Sequence, residues 1–489
     1  MDKTGIATQA LSTLGKAYLH PLALMSQFAE RPSLVWRGDS MVLGRGTPRW
    51  SYRVGVGERG RWRLRPIGFC NLRPLDKVPE EGLPEGSQVP VVGEAYLAPP
   101  VRMLDKSSGY VIYTRSRLQR LYGEETPTGN DELVTCFCQP HRLMGGYCAH
   151  AAQFMSLVMM SRMDLRVPAL HETSYDVARR KGEICKQDGS FVVRGLELLE
   201  MWHHMKSPLV NGSAVIEVHE VQDATSIGVF GRTLNEYLRQ NLPVVLAVDF
   251  AQLHADEPEY LQGLDPNRTE HPHVIVLVGA FYGPSPRSSR YDPIKFVFHD
   301  STAAPYLERS VRTLAEVAGS LGKRPGRAAF LVPMPRGVER SIKDLNDFVN
   351  ACVESRPNER SPNYESVPRG AIPRYRLLHG RSIEGYYFSD LPRTDPVRMA
   401  LREKAGNLPT WTWAIEWYRD RQDMESRQVT ALWLLDATKE LQQKYAFLTG
   451  GGFAYVGRQW FRCLIPKFLD KPAPVPGLLR VKDEGLPQW

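Results

Sequence analysis

The 489-residue chain has no apolar run close to the roughly 18 to 20 residues that a membrane-spanning helix needs. Residues 1–30 lack the basic start, apolar stretch and small-residue cleavage site of a secretory leader, so none is expected. Cysteine is scarce. The seven cysteines are an odd number, scattered apart from Cys136, Cys138 and Cys148. That argues against a disulfide framework and fits a reducing compartment, so a cytoplasmic location is expected. No segment repeats with a period of about 20 to 50 residues, which excludes solenoids and propellers. The net charge of +8, with a pI of about 9.0, is mild for this length; it permits acidic partners without requiring them.

What is present is the composition of a globular protein. Apolar residues make up 42% and charged residues 24%, and the 37 prolines and 40 glycines predict many turns. A single core does not grow to this length, so two or three domains are expected. Residues 1–30 place Ile6, Leu11, Leu14, Tyr18 and Leu22 at helical steps. Residues 31–73 differ: ten arginines stand against only Asp39 and Glu58, with Trp36, Trp50, Tyr52, Trp62 and Phe69 between them. The alternation predicts strands with basic outer faces. Arginines among aromatics also suit nucleic acid, through phosphate contact and stacking, but strand alternation alone produces the pattern, so nucleic acid is not the favoured partner. The proline-rich stretch 74–100 reads as a loop or linker.

Downstream, Tyr110 to Thr114 and residues 214–221 read as strands, and Leu196 to Met205 as a helix. A short helix, Thr233 to Leu238, is entered through Gly231. Three apolar strands follow: Pro243 to Val248, His273 to Gly279, and Lys295 to Asp300. Continuous apolar character predicts a sheet covered on both faces. A helix is expected over Leu307 to Leu321, and residues 356–369 read as a polar linker. Beyond it, Leu408 to Trp413, Val429 to Leu435 and Ala454 to Ile465 read as strands, with Asp436 to Lys444 continuing as helix.

The chain is organised around Gly145-Gly146-Tyr147-Cys148-Ala149-His150. Two glycines deliver a cysteine to the start of an apolar run through Met160, which predicts a buried helix. A thiol in the first turn faces unpaired N–H groups and the positive end of the dipole, which favour the thiolate. A thiolate nucleophile needs a base, and the base needs an orienting acceptor. His273 opens the second apolar strand, 125 positions after Cys148, and Asp300 ends the third. On adjacent strands the imidazole and carboxylate would meet.

This ordered set resembles the papain-like cysteine peptidases, most closely the branch of the bacterial double-glycine leader peptidases, over about residues 136–321. The resemblance rests on a Cys at a helix start, the Pro243 to Val248 strand, the His273 to Gly279 strand, and a strand ending in Asp300 before Ser301. It implies that Cys148 is the nucleophile, His273 the general base and Asp300 the orienting residue. Gln139, nine positions upstream of Cys148, would be an oxyanion donor beside the Cys148 N–H. His271 competes with His273 for the base, but His273 abuts the apolar run and matches the family position. His299 should face the opposite side of its strand as a polar strand end. His203, His204 and His219 read as surface or loop residues.

A second reading uses the same neighbourhood. Cys136-Phe137-Cys138 and Cys148-Ala149-His150 give C-x-C-x9-C-x-H, which resembles the SWIM type of zinc finger. Three thiolates and an imidazole suit tetrahedral zinc, and His141 is a further candidate ligand. A closed zinc site would consume the nucleophile and leave the His273 and Asp300 strands unexplained.

The sequence therefore predicts an α+β fold: a papain-like core in which a Cys-bearing helix packs on a mainly antiparallel sheet, with accessory regions. The expected bounds are 1–130 for an N-terminal β-rich region, 131–355 for the catalytic domain and 370–489 for a C-terminal α/β domain. The expected activity is a cysteine hydrolase acting on a peptide or isopeptide bond, with a protein or peptide substrate and no cofactor. The alternative is a zinc module in a nucleic-acid- or protein-binding protein.

Overall fold

The computed structural model describes residues 33–42, 49–57, 65–72, 92–104, 108–117, 133–138, 148–160, 197–206, 213–261, 264, 269–283, 292–321, 325–354, 370–387, 389, 392–393, 410–426, 429, 431–438, 452–456, 459–463 and 478–480. The fold is mixed α and β, and every strand pairing specified within it is antiparallel. By its internal contacts the chain forms two compact units. One comprises residues 1–212 and 216–333; the other comprises residues 213–215 and 334–489.

The first unit contains two sheets. One is built from β1 (Ser33–Val42), β2 (Arg49–Gly57), β3 (Arg65–Leu72), β4 (Val92–Leu97), β6 (Ser116–Arg117) and β7 (Leu133–Cys138), in the order β1-β2-β3-β4-β7-β6. The other runs β12 (Leu307–Ser310), β11 (Lys295–His299), β10 (Pro272–Phe281), β9 (Val244–Asp249), β13 (Arg327–Pro333) and β8 (Ala214–Glu220, whose first two residues are counted with the second unit). At its centre, β10 is long enough to pair twice along one edge. Its first part pairs β9, and Gly279 to Phe281 pair β5 (Tyr110–Ile112). Gly279 lies where β5 approaches: a Cβ there would come within 2.6 Å of both Ile112 Cδ1 and the Val111 carbonyl oxygen.

The helix Cys148–Met160 packs between β7 of the first sheet and β9, β10 and β13 of the second. Apart from Cys148 and Leu157 its residues are buried, among them Phe154, Met155, Val158, Met159 and Met160. A helix of this length is marginal alone. Burying such side chains, at about 1.5–3 kcal/mol each, is what holds it. Gln153, buried on this helix, meets His204 Nδ1 at 2.5 Å.

In the second unit, β14 (Ile372–His379), β15 (Trp411–Tyr418), β16 (Ala431–Asp436), β17 (Gly452–Val456), β18 (Gln459–Cys463) and β19 (Leu478–Arg480) form a sheet in chain order. Buried Trp413 donates from its ring N–H to the Arg340 carbonyl at 3.0 Å. Buried Glu416 accepts from Arg376 Nε at 2.8 Å, Tyr387 at 2.7 Å and Tyr418 at 2.8 Å. This region, expected as α/β, pairs its six strands antiparallel in chain order, with the helices Ile383–Tyr387 and Arg421–Ser426 between successive strands.

Several local expectations change. The helix expected over Thr233 to Leu238 runs from Ala224 to Arg239. Asp223 and Ser226 cap it reciprocally, and Gly231 lies inside it, where a Cβ would meet Val311 Cγ1 at 2.6 Å. The helix expected from Leu307 begins at Val311, because Leu307–Ser310 pairs β11 and the Ser310 hydroxyl caps the turn. The stretch 74–100, expected as loop, contributes β4, with Ala95, Tyr96 and Leu97 buried. The strand expected over Ala454 to Ile465 is a hairpin of β17 and β18. Asp436 belongs to β16 rather than to a helix. The helix expected in residues 1–30 lies outside the described residues.

Candidate active site

Two strand ends and one helix start converge. The Asp249 carboxylate, at the end of β9, accepts from Gln252 N at 2.9 Å and His271 N at 2.8 Å. One oxygen pair thus caps the short helix Phe250–Leu253 and pins the entry to β10, where His273 sits buried. Asp300 follows β11. Its Oδ1 accepts from the backbone N–H of Thr302 at 2.8 Å and of Ala303 at 3.2 Å, a turn that fixes the carboxylate.

The His273 ring donates from Nε2 to Asp300 Oδ1 at 2.9 Å. The remaining ring nitrogen, Nδ1, is the one available to the Cys148 thiol, with which His273 shares a side-chain hydrogen bond. Cys148 opens its helix and is partly exposed, whereas His273 and Asp300 are buried. The set brought together is therefore Cys148, His273 and Asp300, from three elements far apart in sequence.

The charges reinforce one another. Burial alone would push the Cys148 thiol up, but the adjacent His273, its hydrogen bond and the Val274 N–H bring it below its ordinary value. Burial likewise opposes charge on His273; Asp300 on one side and Cys148 on the other outweigh it and push the imidazole up to about 10. Asp300 also resists burial, yet His273 and His254 hold it well below the usual carboxylate range. A thiolate–imidazolium pair anchored by a carboxylate is the arrangement that nucleophilic acyl transfer uses.

No family model, curated protein or solved structure matches the chain.

The other sequence candidates fall elsewhere. Gln139, like Gly145, Gly146 and His141, lies outside the described residues. His271 contributes its backbone: its N–H donates to Asp249 and its carbonyl accepts from Phe250 N at 2.9 Å. His299 does face away from Asp300, and it is the last residue of β11, as expected, but it is not exposed. It is fully buried between the two sheets, 2.9 Å from Thr135 Oγ1, and burial lowers its pKa to about 3. Cys136 and Cys138 are buried in β7. Among the described residues, no three His, Cys, Asp or Glu side chains form a group that could hold a metal ion, so Cys136, Cys138, Cys148 and His150 do not converge. His204 sits on the helix Leu198–Lys206, and His219 is on β8, where it meets Glu217 at 2.7 Å and stacks on Phe330. His203, on the same helix as His204, is exposed as expected of a surface residue, and none of the three lies in a loop.

Sequence reasoning missed His254, which ends the short helix after β9. Its Nε2 lies 2.8 Å from Asp300 Oδ2, and its Nδ1 lies 2.6 Å from Glu257 Oε2. Arg309 in turn donates to that Glu257 oxygen at 2.7 Å. The local signal was a His and a Glu three apart just past a strand ending in Asp249. Nothing local announced Arg309, 52 positions on.

Proposed function

We propose that the chain is a cysteine hydrolase with a papain-like core, cleaving a peptide or isopeptide bond in a protein or peptide substrate. The single observation that carries this is the unbroken contact from a helix-opening thiol, through His273, to the buried Asp300 carboxylate. A Cys-bearing helix against a mainly antiparallel sheet also supports the papain-like reading.

On this reading the Cys148 thiolate attacks the scissile carbonyl carbon. The developing oxyanion is met by N–H groups at the helix start, including that of Cys148, which have no partner within the helix, with Gln139 as the further candidate donor. His273 gives its proton to the leaving amine, and a thioester remains on Cys148. His273 then takes a proton from water, the thioester is hydrolysed, and the carboxylic acid leaves. Asp300 holds the imidazole in the orientation both transfers need. No metal takes part.

The test is incubation of the full chain with a peptide library, with products read by mass spectrometry. Cleavage that vanishes in Cys148→Ala, with melting temperature retained, is the expected result. Cleavage that survives in Cys148→Ala would refute the assignment.

A further inference from the structure

His254 is more buried than its place in a surface connection would suggest, with 0% exposure. It lies between two carboxylates, Asp300 and Glu257. Its Nε2 faces Asp300 and its Nδ1 faces Glu257, and a carboxylate only accepts, so Nε2 is placed to donate to Asp300. Phe250 packs against both imidazoles, with ring centroids 4.9 Å from His273 and 4.8 Å from His254. Tyr260 closes the far side of His254 at 4.9 Å. The ring therefore has one orientation. Arg309 fixes Glu257, and its Nε also donates to the Leu253 carbonyl at 3.0 Å, which ties the anchor to the helix that carries His254.

The two oxygens of Asp300 are held differently. Oδ1 accepts from His273, Thr302 and Ala303, whereas the side-chain donor at Oδ2 is His254. A buried carboxylate stays ionised only while donors meet it. We infer that His254, held by Glu257 and Arg309, is a positioning residue that orients Asp300 toward His273 and keeps it ionised. The inference rests on the thiol-nucleophile reading. The hydrogen-bonded order is Cys148, His273, Asp300, His254, Glu257, Arg309; among the described residues these, with Tyr260 packed edge-on against His254, are the charged and titratable groups that bear on His254 and Asp300.

The experiment follows alkylation of Cys148 in the full chain by iodoacetamide as a function of pH, read by intact mass, beside thermal melting. In wild type the acid-side midpoint should lie below that of an ordinary cysteine. His254→Ala should move it upward by about half to one pH unit, roughly a three- to tenfold slower reaction on the acid limb. Asp300→Asn should move it the same way, and the double variant no further, because both act through one carboxylate. Glu257→Gln, a partly exposed position that spares the core, should give a smaller shift in the same direction if His254→Ala does not fold. A merely structural role would lower the melting temperature and leave the midpoint unmoved. Wild-type midpoints in His254→Ala, or in Glu257→Gln where His254→Ala does not fold, would overturn the inference while leaving the triad intact if Asp300→Asn still shifts. A wild-type Cys148 that titrates like a free cysteine would overturn the nucleophile reading and this inference together.

Discussion

Replacing Asp300 by Asn isolates what one buried charge does. Oδ1 is surrounded by three N–H donors, from His273, Thr302 and Ala303, so the asparagine carbonyl oxygen must stay there. Its amide group then turns toward His254 Nε2, now 2.8 Å from a donor instead of an acceptor. Two costs follow. The bond to His273 falls from a charged one, worth about 1.5–3 kcal/mol, to a neutral one worth about 0.5–1.5. The difference, about 1–1.5 kcal/mol, lowers the thiolate–imidazolium population roughly 5- to 13-fold. Separately, His254 must turn Nε2 from donor to acceptor to meet the amide, and exchanging a charge-assisted bond for a neutral one destabilises the fold by about 1–1.5 kcal/mol. The assay is the pair of rates and stabilities: iodoacetamide alkylation of Cys148 near pH 6, and urea unfolding. An Asp300→Asn protein that loses stability but alkylates at the wild-type rate would refute the argument, since Asp300 would then serve packing and not the charge state of His273.

Three further outcomes can be checked directly. Hydrolysis should be bell-shaped in pH: it falls on the acid side as the thiolate, already favoured below its ordinary pKa, takes a proton, and on the basic side as His273 loses its proton near 10; a profile flat from pH 5 to 11 would contradict the pair. His299 is neutral in the fold down to about pH 3, while an unfolded His binds a proton below about 6.5, so stability is full above 6.5 and declines as pH falls toward 3. The slope from this group approaches about 1.4 kcal/mol per pH unit, and His299→Gln should flatten it in urea unfolding series across that window. Gly279→Ala should cost about 1–3 kcal/mol, because its Cβ meets the Val111 backbone oxygen, which cannot give way without moving β5; an unchanged unfolding midpoint would show that β5 is loosely held.

The sequence by itself determined what local pattern controls. The apolar run after Cys148 reads as a buried helix, and the runs opening at His273 and closing at Asp300 read as buried strands, so three chemically apt residues were marked at element ends. Period two also put His299 and Asp300 on opposite faces, as the Thr135 and His273 contacts have them. It equally drew attention to Cys136 and Cys138, since ligand spacing and strand alternation look alike until the strand's neighbours are known; in the fold both are buried in β7, paired with β4. What the tertiary structure decided is everything that joins distant segments. The contact between Cys148 and His273 depends on the helix packing against β10. The role of His254 depends on a four-residue helix capped by Asp249, and that of Arg309 on β12 pairing β11 beside it. Hydrogen bonds across 27, 46 or 52 positions leave no periodic trace, because they are set by which elements pack together and not by the residues between them.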